Sequence, residues 1–189
     1  MTIEMRDCRT AWHQYRVANL VSCIATAIGL SQGQIDNITM AALVHDIGKI
    51  CVPVQILNKP GQLDELELGA IRMHPQAGYV LLERMQVPWA VGQAVLQHHE
   101  RMDGSGYPSG LSGEYILLES RILALADVVE AMASHRPYRQ ALGIDGGLEE
   151  VVQKKGILYD SQIADVCIEL LTAGGFKFES TMKSAHPYE

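Results

Sequence analysis

The chain has 189 residues, 48% of them hydrophobic and 20% charged, with a formal net charge of -7. A chain of that size forms one domain that buries about 70% of the surface its unfolded form exposes, so a core needs no disulfide staples. The acidic balance excludes a general nucleic-acid-binding surface, and no DNA or RNA polymer is expected as a partner.

Helical periodicity dominates, and no alternating run reads as a strand. His13, Val17, Leu20, Ile24 and Ala27 step by four and three, which puts His13 on the buried stripe of a first helix. The longest apolar stretch, Leu20 to Leu30, is shorter than the roughly 20 residues a bilayer needs and is broken by Ser22 and Thr26. No membrane span is expected, and Arg6, Asp7 and Arg9 leave no place for a cleavable leader. Ser31 with Gln34 three residues on forms a capping-box pattern that opens a second helix, carrying Ile35, Ile38, Ala42 and His45 on one face and ending near Gly48.

Asn58-Lys59-Pro60-Gly61 reads as a turn, after which Asp64 and Glu67 cap a helix running towards His74. Pro75 disfavours helical geometry at His74, so that helix breaks there and restarts with Pro75 in its first turn. Pro88 opens the next helix, which ends at His98-His99-Glu100. The glycine-rich stretch Asp103 to Gly110 is non-helical. A nearly all-apolar helix follows from about Glu119 to Ala133, then two weaker ones near Asp145 to Lys155 and Asp160 to Ala173. The fold class is therefore all-α, a single helical bundle domain over residues 1–189 with its motif-bearing core at about 9–160 and C-terminal helices and tail over 161–189. Cys8, Cys23, Cys51 and Cys167 contain no CxxC pair and read as small buried apolar residues in a reducing, cytoplasmic compartment.

Asp127 is the most telling single residue, since it interrupts Ile122-Leu123-Ala124-Leu125-Ala126-Asp127-Val128-Val129. A carboxylate buried there without a partner costs roughly 3 to 5 kcal/mol, so either a metal or an internal salt bridge, to Arg121 or Arg136, must face it. His45-Asp46 ends another apolar helix, and neighbouring helical side chains about 100° apart suit a ligand pair in which the carboxylate bridges to a second ion. Alone, that dipeptide is a weak motif, and a lone His13, His74 or His98-His99 pair is ordinarily a satisfied core or helix-end group. Their number changes the reading: His13, His45, His74, His98 and His99 all fall at helix ends or on buried stripes, leaving only His135 and His186 outside. Five imidazoles with Asp46 and Asp127 suffice for two metals, and mixed nitrogen and oxygen ligands favour iron, manganese or zinc over magnesium or calcium. Two such ions lower the pKa of a bridging water and clamp the attacking and leaving oxygens of phosphoryl displacement.

These residues resemble the HD-GYP family, a branch of the HD-domain phosphohydrolases. The resemblance is carried in order by His13-Gln14-Tyr15-Arg16-Val17, His45-Asp46-Ile47-Gly48-Lys49, Leu57-Asn58-Lys59-Pro60-Gly61, His74-Pro75-Gln76-Ala77-Gly78, His98-His99-Glu100-Arg101, Gly104-Ser105-Gly106-Tyr107-Pro108, Ala126-Asp127 and Arg136-Pro137-Tyr138-Arg139. It implies a metal-dependent phosphodiesterase that hydrolyses cyclic di-GMP to linear pGpG, to GMP, or through one to the other. It assigns His13, His45, Asp46 and Asp127 to one metal, and His74, His98, His99 and the bridging Asp46 to the second. The cofactors implied are two divalent ions, iron or manganese first, with zinc, nickel or cobalt as alternatives. Asp46 and Lys49 carry the catalytic role, Lys49 at the scissile phosphate or leaving oxygen, with a helix-end cation as its plainer reading. Arg136 and Arg139 match the family's phosphate-gripping positions, and their fork geometry suits phosphate oxygens. Tyr107 is placed at the substrate, while Gly106, Tyr107 and Pro108 either shape a loop or dock a signalling protein; a homodimer is left open.

One departure narrows the expectation. Some family members hold a third metal with a glutamate one turn before the first histidine, where this chain has Arg9, so two metals are expected. No receiver or other sensory module is visible in the sequence. The competing readings are a module that binds cyclic di-GMP or a partner without hydrolysis, and an HD-type hydrolase of another nucleotide. Degenerate domains usually lose ligands, and none of the seven is missing.

Overall fold

Helix α1 (Cys8–Ala27) forms on the stripe set by Val17, Leu20 and Ile24, all fully buried in the computed structural model. The structure describes residues 8–133, 143–174 and 176–178; His135, Arg136, Arg139 and His186 lie outside them, as do the side chains of Cys8 and Arg9. Ala27, expected on the buried stripe, is exposed because the helix is already closing. Leu30 N–H donates to Ala25 O at 3.0 Å and Gly29 takes a φ of +80°, a left-handed ending that only glycine accepts readily.

Helix α2 (Gln32–Val44) starts as its cap predicts: Gln34 Oε1 accepts from the Ser31 N–H at 3.2 Å and from its hydroxyl at 2.9 Å. It stops at Val44 rather than near Gly48, and the chain tightens into a 3-10 turn over Ile47–Cys51. The cause is tertiary. Gly48 lies against the helix that follows Met73 so closely that a Cβ there would come 1.9 Å from His74 O and 2.5 Å from Gly78 N. Only a bare backbone fits, and it is the tightened turn that delivers one.

A short α3 (Val54–Leu57) leads to α4 (Glu65–Arg72), capped reciprocally by Asp64 and Glu67 at 2.9 Å each way. Met73 alone separates α4 from α5 (His74–Arg84), and Pro75 occupies the first turn of α5, as the sequence requires. Then come α6 (Trp89–Gln97), entered through Pro88, and α7 (Leu118–Ala133). The last two are α8 (Gly143–Lys154) and α9 (Ser161–Thr172), the latter capped by the Asp160 carboxylate. Among the described residues there is no strand, only isolated bridges, in accord with the all-α expectation.

Helices α1, α2, α6 and α7 pack around one core of Leu20, Ile24, Ile38, Val91, Val95, Ile122, Leu125 and Val129. Each such side chain contributes about 1.5 to 3 kcal/mol by leaving water. Ala41, Ala42, Ala94 and Ala126 are buried beside them, and their small side chains let the helices carrying the histidines approach closely. Cys167 is buried as expected, but Cys23 is only half-buried and Cys51 is exposed, where the 3-10 turn leaves the core. No described helix is long and apolar enough to cross a membrane.

Candidate metal centre

Three helix ends and two helix interiors converge on one buried spot. The C-terminus of α2 delivers His45 and, one residue later, Asp46; the α4–α5 junction delivers His74; the C-terminus of α6 delivers His98 and His99. His13 comes from within α1 and Asp127 from within α7. All seven residues singled out in the sequence are therefore brought together.

They form two adjoining groups, His13/His45/Asp127 and His74/His98/His99, in each of which one donor atom per residue lies within 4.8 Å of the others. The His13 Nε2 is 3.1 Å from Asp127 Oδ1, and the His45 Nε2 is 3.9 Å from the same oxygen. Asp46 stands between the groups, with Oδ2 3.6 Å from His45 Nε2 and Oδ1 3.4 Å from His74 Nε2.

Backbone carbonyls in the last turns of helices orient three of the rings. His45 Nδ1 donates to Ala42 O (2.7 Å), His74 Nδ1 to Ile71 O (2.8 Å) and His98 Nδ1 to Val95 O (2.6 Å). Each Nε2 is thereby left with its lone pair facing inward. The His74 and His98 Nε2 atoms then face each other at 3.3 Å, two acceptors with no proton between them. Such a pair wants a cation, and the donor set of imidazoles and carboxylates fits a divalent metal.

Electrostatics point the same way. Burial pushes the carboxyls of Asp46 and Asp127 up, but Lys49 and His45 for the first, and the His13 hydrogen bond and His45 for the second, outweigh it and keep both ionised. Burial holds His74 and His98 below the ordinary histidine range and His99 down at about 3, so these rings are neutral at neutral pH. His13 differs: burial opposes its charge, yet hydrogen bonds to Asp127 and Glu130 raise it to about 9.

Lys49 stands beside the centre, its Nζ 2.6 Å from Asp46 Oδ2. Tyr107 stacks on His99 with ring centroids 4.7 Å apart, and its N–H donates to His99 O at 3.3 Å. Burial pushes its phenol up to about 12. Gly106 is pressed against the same stretch of backbone: a Cβ there would meet Glu100 Cα and His99 O at 2.5 Å. The loop holding Gly106, Tyr107 and Pro108 is thus strapped to the His98-His99 pair. Arg136 and Arg139 lie outside the described residues.

Three functional neighbours escaped the sequence reading. Glu130, buried, accepts from His13 Nδ1 and from Arg16 Nε. Glu100, also buried, accepts from Ser109 N–H (2.7 Å) and Leu111 N–H (3.0 Å). Arg72, exposed at the end of α4, lies 5.6 Å over the Tyr107 ring. Asp127 meets histidines rather than Arg121, which pairs with Asp160 at 3.2 Å instead.

Fold and site together define a helical protein built around a buried histidine–carboxylate cluster of a kind that could hold metal ions. The chain belongs to the HD domain family, whose sequence profile matches residues 1–163, and its motifs are those of the HD-GYP branch. It is 42% identical over 179 residues to RpfG, a cyclic di-GMP phosphodiesterase response regulator of Xanthomonas campestris, covering 94% of this chain and 46% of that protein. It is 34% identical over 172 residues to 3'3'-cGAMP-specific phosphodiesterase 2 of Vibrio cholerae, covering 88% of this chain and 32% of that one. The chain thus spans less than half the length of these relatives. In fold it resembles Bd1817, an HDG"Y"P protein from Bdellovibrio bacteriovorus, with a TM-score of 0.71 at 17% identity over 86% of this chain and 52% of that one.

Proposed function

We propose that this protein is a phosphodiesterase that hydrolyses cyclic di-GMP to pGpG, GMP or both, using two divalent metal ions. The observation that carries the reading is the convergence of five imidazoles and two carboxylates in two triads with Asp46 between them. His13, His45 and Asp127 would hold one ion and His74, His98 and His99 the other, with Asp46 shared; the mixed donor set suits iron or manganese, with zinc, nickel or cobalt as alternatives. Ions bound there would make water nucleophilic near neutral pH and neutralise charge on a phosphoryl oxygen.

The chain's own residues supply the rest. Neutral His74, His98 and His99 and ionised Asp46 and Asp127 are ready as ligands without prior proton loss. Burial excludes bulk water from the centre. Lys49 is the catalytic cation we assign to the scissile phosphate and leaving oxygen, since its ammonium reaches Asp46 while about a third of the side chain stays exposed, 35%. Arg136 and Arg139 are assigned to grip substrate phosphates, and Tyr107 to line the substrate side of His99. The free thiols of Cys23, Cys51 and Cys167 fit a reducing compartment, and we take the cytoplasm as the place of action. A signalling partner at the loop of Gly106, Tyr107 and Pro108, and a homodimer, are compatible with this reading.

A second substrate is favoured by one observation: relatives of similar identity act, by name, on 3'3'-cGAMP. Incubating protein loaded anaerobically with iron or manganese with each dinucleotide, and resolving the products, decides between them. Turnover of cyclic di-GMP above cGAMP is expected. Folded, loaded protein that binds cyclic di-GMP tightly and forms no product would make it a binding module instead.

A further inference from the structure

We propose that Glu130, held by Arg16, is a positioning residue that orients His13 for the first metal and makes the two metal sites unequal in affinity. The inference rests on the metal-centre reading above and assigns a role to residues outside it.

The reason lies in where each histidine falls in its helix. His45, His74 and His98 stand at helix ends, where the carbonyl three residues back is outside the regular helical ladder and can take the Nδ1 proton. His13 stands in the interior of α1, where the carbonyls are committed to the helix. Its Nδ1 needs an acceptor from another element, and α7 provides one: Glu130, one turn beyond Asp127, points the same way and accepts from Nδ1. A single helix of the bundle therefore holds both nitrogens of His13, Asp127 at Nε2 and Glu130 at Nδ1.

A buried carboxylate needs charge compensation, and Arg16 supplies it. Arg16 lies one turn after His13 on α1, and its Nε donates to Glu130 Oε1 while His13 donates to Oε2. The side chain of Glu130 is 1% exposed and that of Arg16 21%, so the bridge is shielded from solvent. A carboxylate acceptor makes an imidazole a stronger donor at its other nitrogen than a neutral carbonyl does. The first site has that reinforcement. In the second, His74 and His98 lean on carbonyls alone.

Manganese titration of metal-free protein in two backgrounds tests this. His74→Ala removes a ligand of the second cluster and leaves the first to be read; His13→Ala does the reverse. Glu130→Gln, which keeps the shape and drops the charge, is expected to weaken manganese binding about 10- to 100-fold in the His74→Ala background. In the His13→Ala background it should leave affinity unchanged. Equal affinity in the first background, or an equal loss in both, overturns the inference, the latter because it marks a general structural role. Should Glu130→Gln not fold, Arg16→Gln/Glu130→Gln, neutral on both partners, carries the same expectation. Absence of manganese binding with Glu130 intact would instead sink the metal-centre reading, and this inference with it.

Discussion

Lys49 is held by Asp46, whose two oxygens also face His45 and His74, so one carboxylate is asked to serve a cation and two ligands at once. The lysine is about a third exposed while Asp46 is 5% exposed, so its ammonium is drawn from the surface to a buried carboxylate at the centre of the site. Lys49→Met keeps the aliphatic packing and removes the ammonium. We expect kcat on cyclic di-GMP to fall roughly 100- to 1000-fold while both metals remain bound, measured by steady-state kinetics beside metal analysis. Unchanged kcat would return Lys49 to the role of a helix-end cation. At this scale Asp127 was legible because a lone carboxylate in an apolar helix demands a partner. The same reasoning applied three residues on would have exposed Glu130. Residue chemistry alone could not name the partner, which came only with the family resemblance: Arg121 and Arg136 are near in sequence, whereas His13 meets α7 only because α1 packs across it.

Helix boundaries show the same division between local and long-range causes. Caps at Ser31 and Asp64 and the break at Pro75 are local chemistry and were readable. The early end of α2 was not, since it depends on Gly48 meeting the backbone of α5. The stretch from Asp103 to Gly110 was readable only as non-helical; its order comes from Glu100, whose two oxygens gather the N–H groups of Ser109 and Leu111. Glu100→Gln leaves one buried amide oxygen for two part-buried hydrogen bonds and turns an NH2 towards the other donor. The cost should be about 2 kcal/mol, which for a chain of this size lowers Tm by roughly 4 to 8 °C. Because Tyr107 and Gly106 lean on His99 from this loop, the variant should also bind its second metal more weakly. Calorimetry and metal stoichiometry check the two parts separately, and a variant with unaltered Tm would mean that Gly106 packing alone secures the loop.

Across the whole molecule, the centre joins α1, α2, the α4–α5 junction, α6 and α7, so ions bound there would cross-link helices from both ends of the chain. His13 and Glu130 are 117 residues apart in sequence. The apolar core already holds these helices together, so chelation should leave the helical far-ultraviolet signal intact at low temperature. Without cations, however, the facing nitrogens of His74 and His98 stay uncompensated, and the folded state loses the binding energy that the unfolded chain never had. A metal at about 1000 times its dissociation constant stabilises the fold by about 4 kcal/mol, or roughly 8 to 16 °C in Tm for a domain of this length. Melting the protein across a manganese series, with a chelator as the zero point, should therefore give a Tm that climbs with the logarithm of free metal. His45→Ala/Asp46→Ala, which takes a ligand from each side of the centre, should fold, lose both ions and flatten that climb. A wild-type Tm indifferent to metal would show that the imidazole cluster closes on itself and holds no ion.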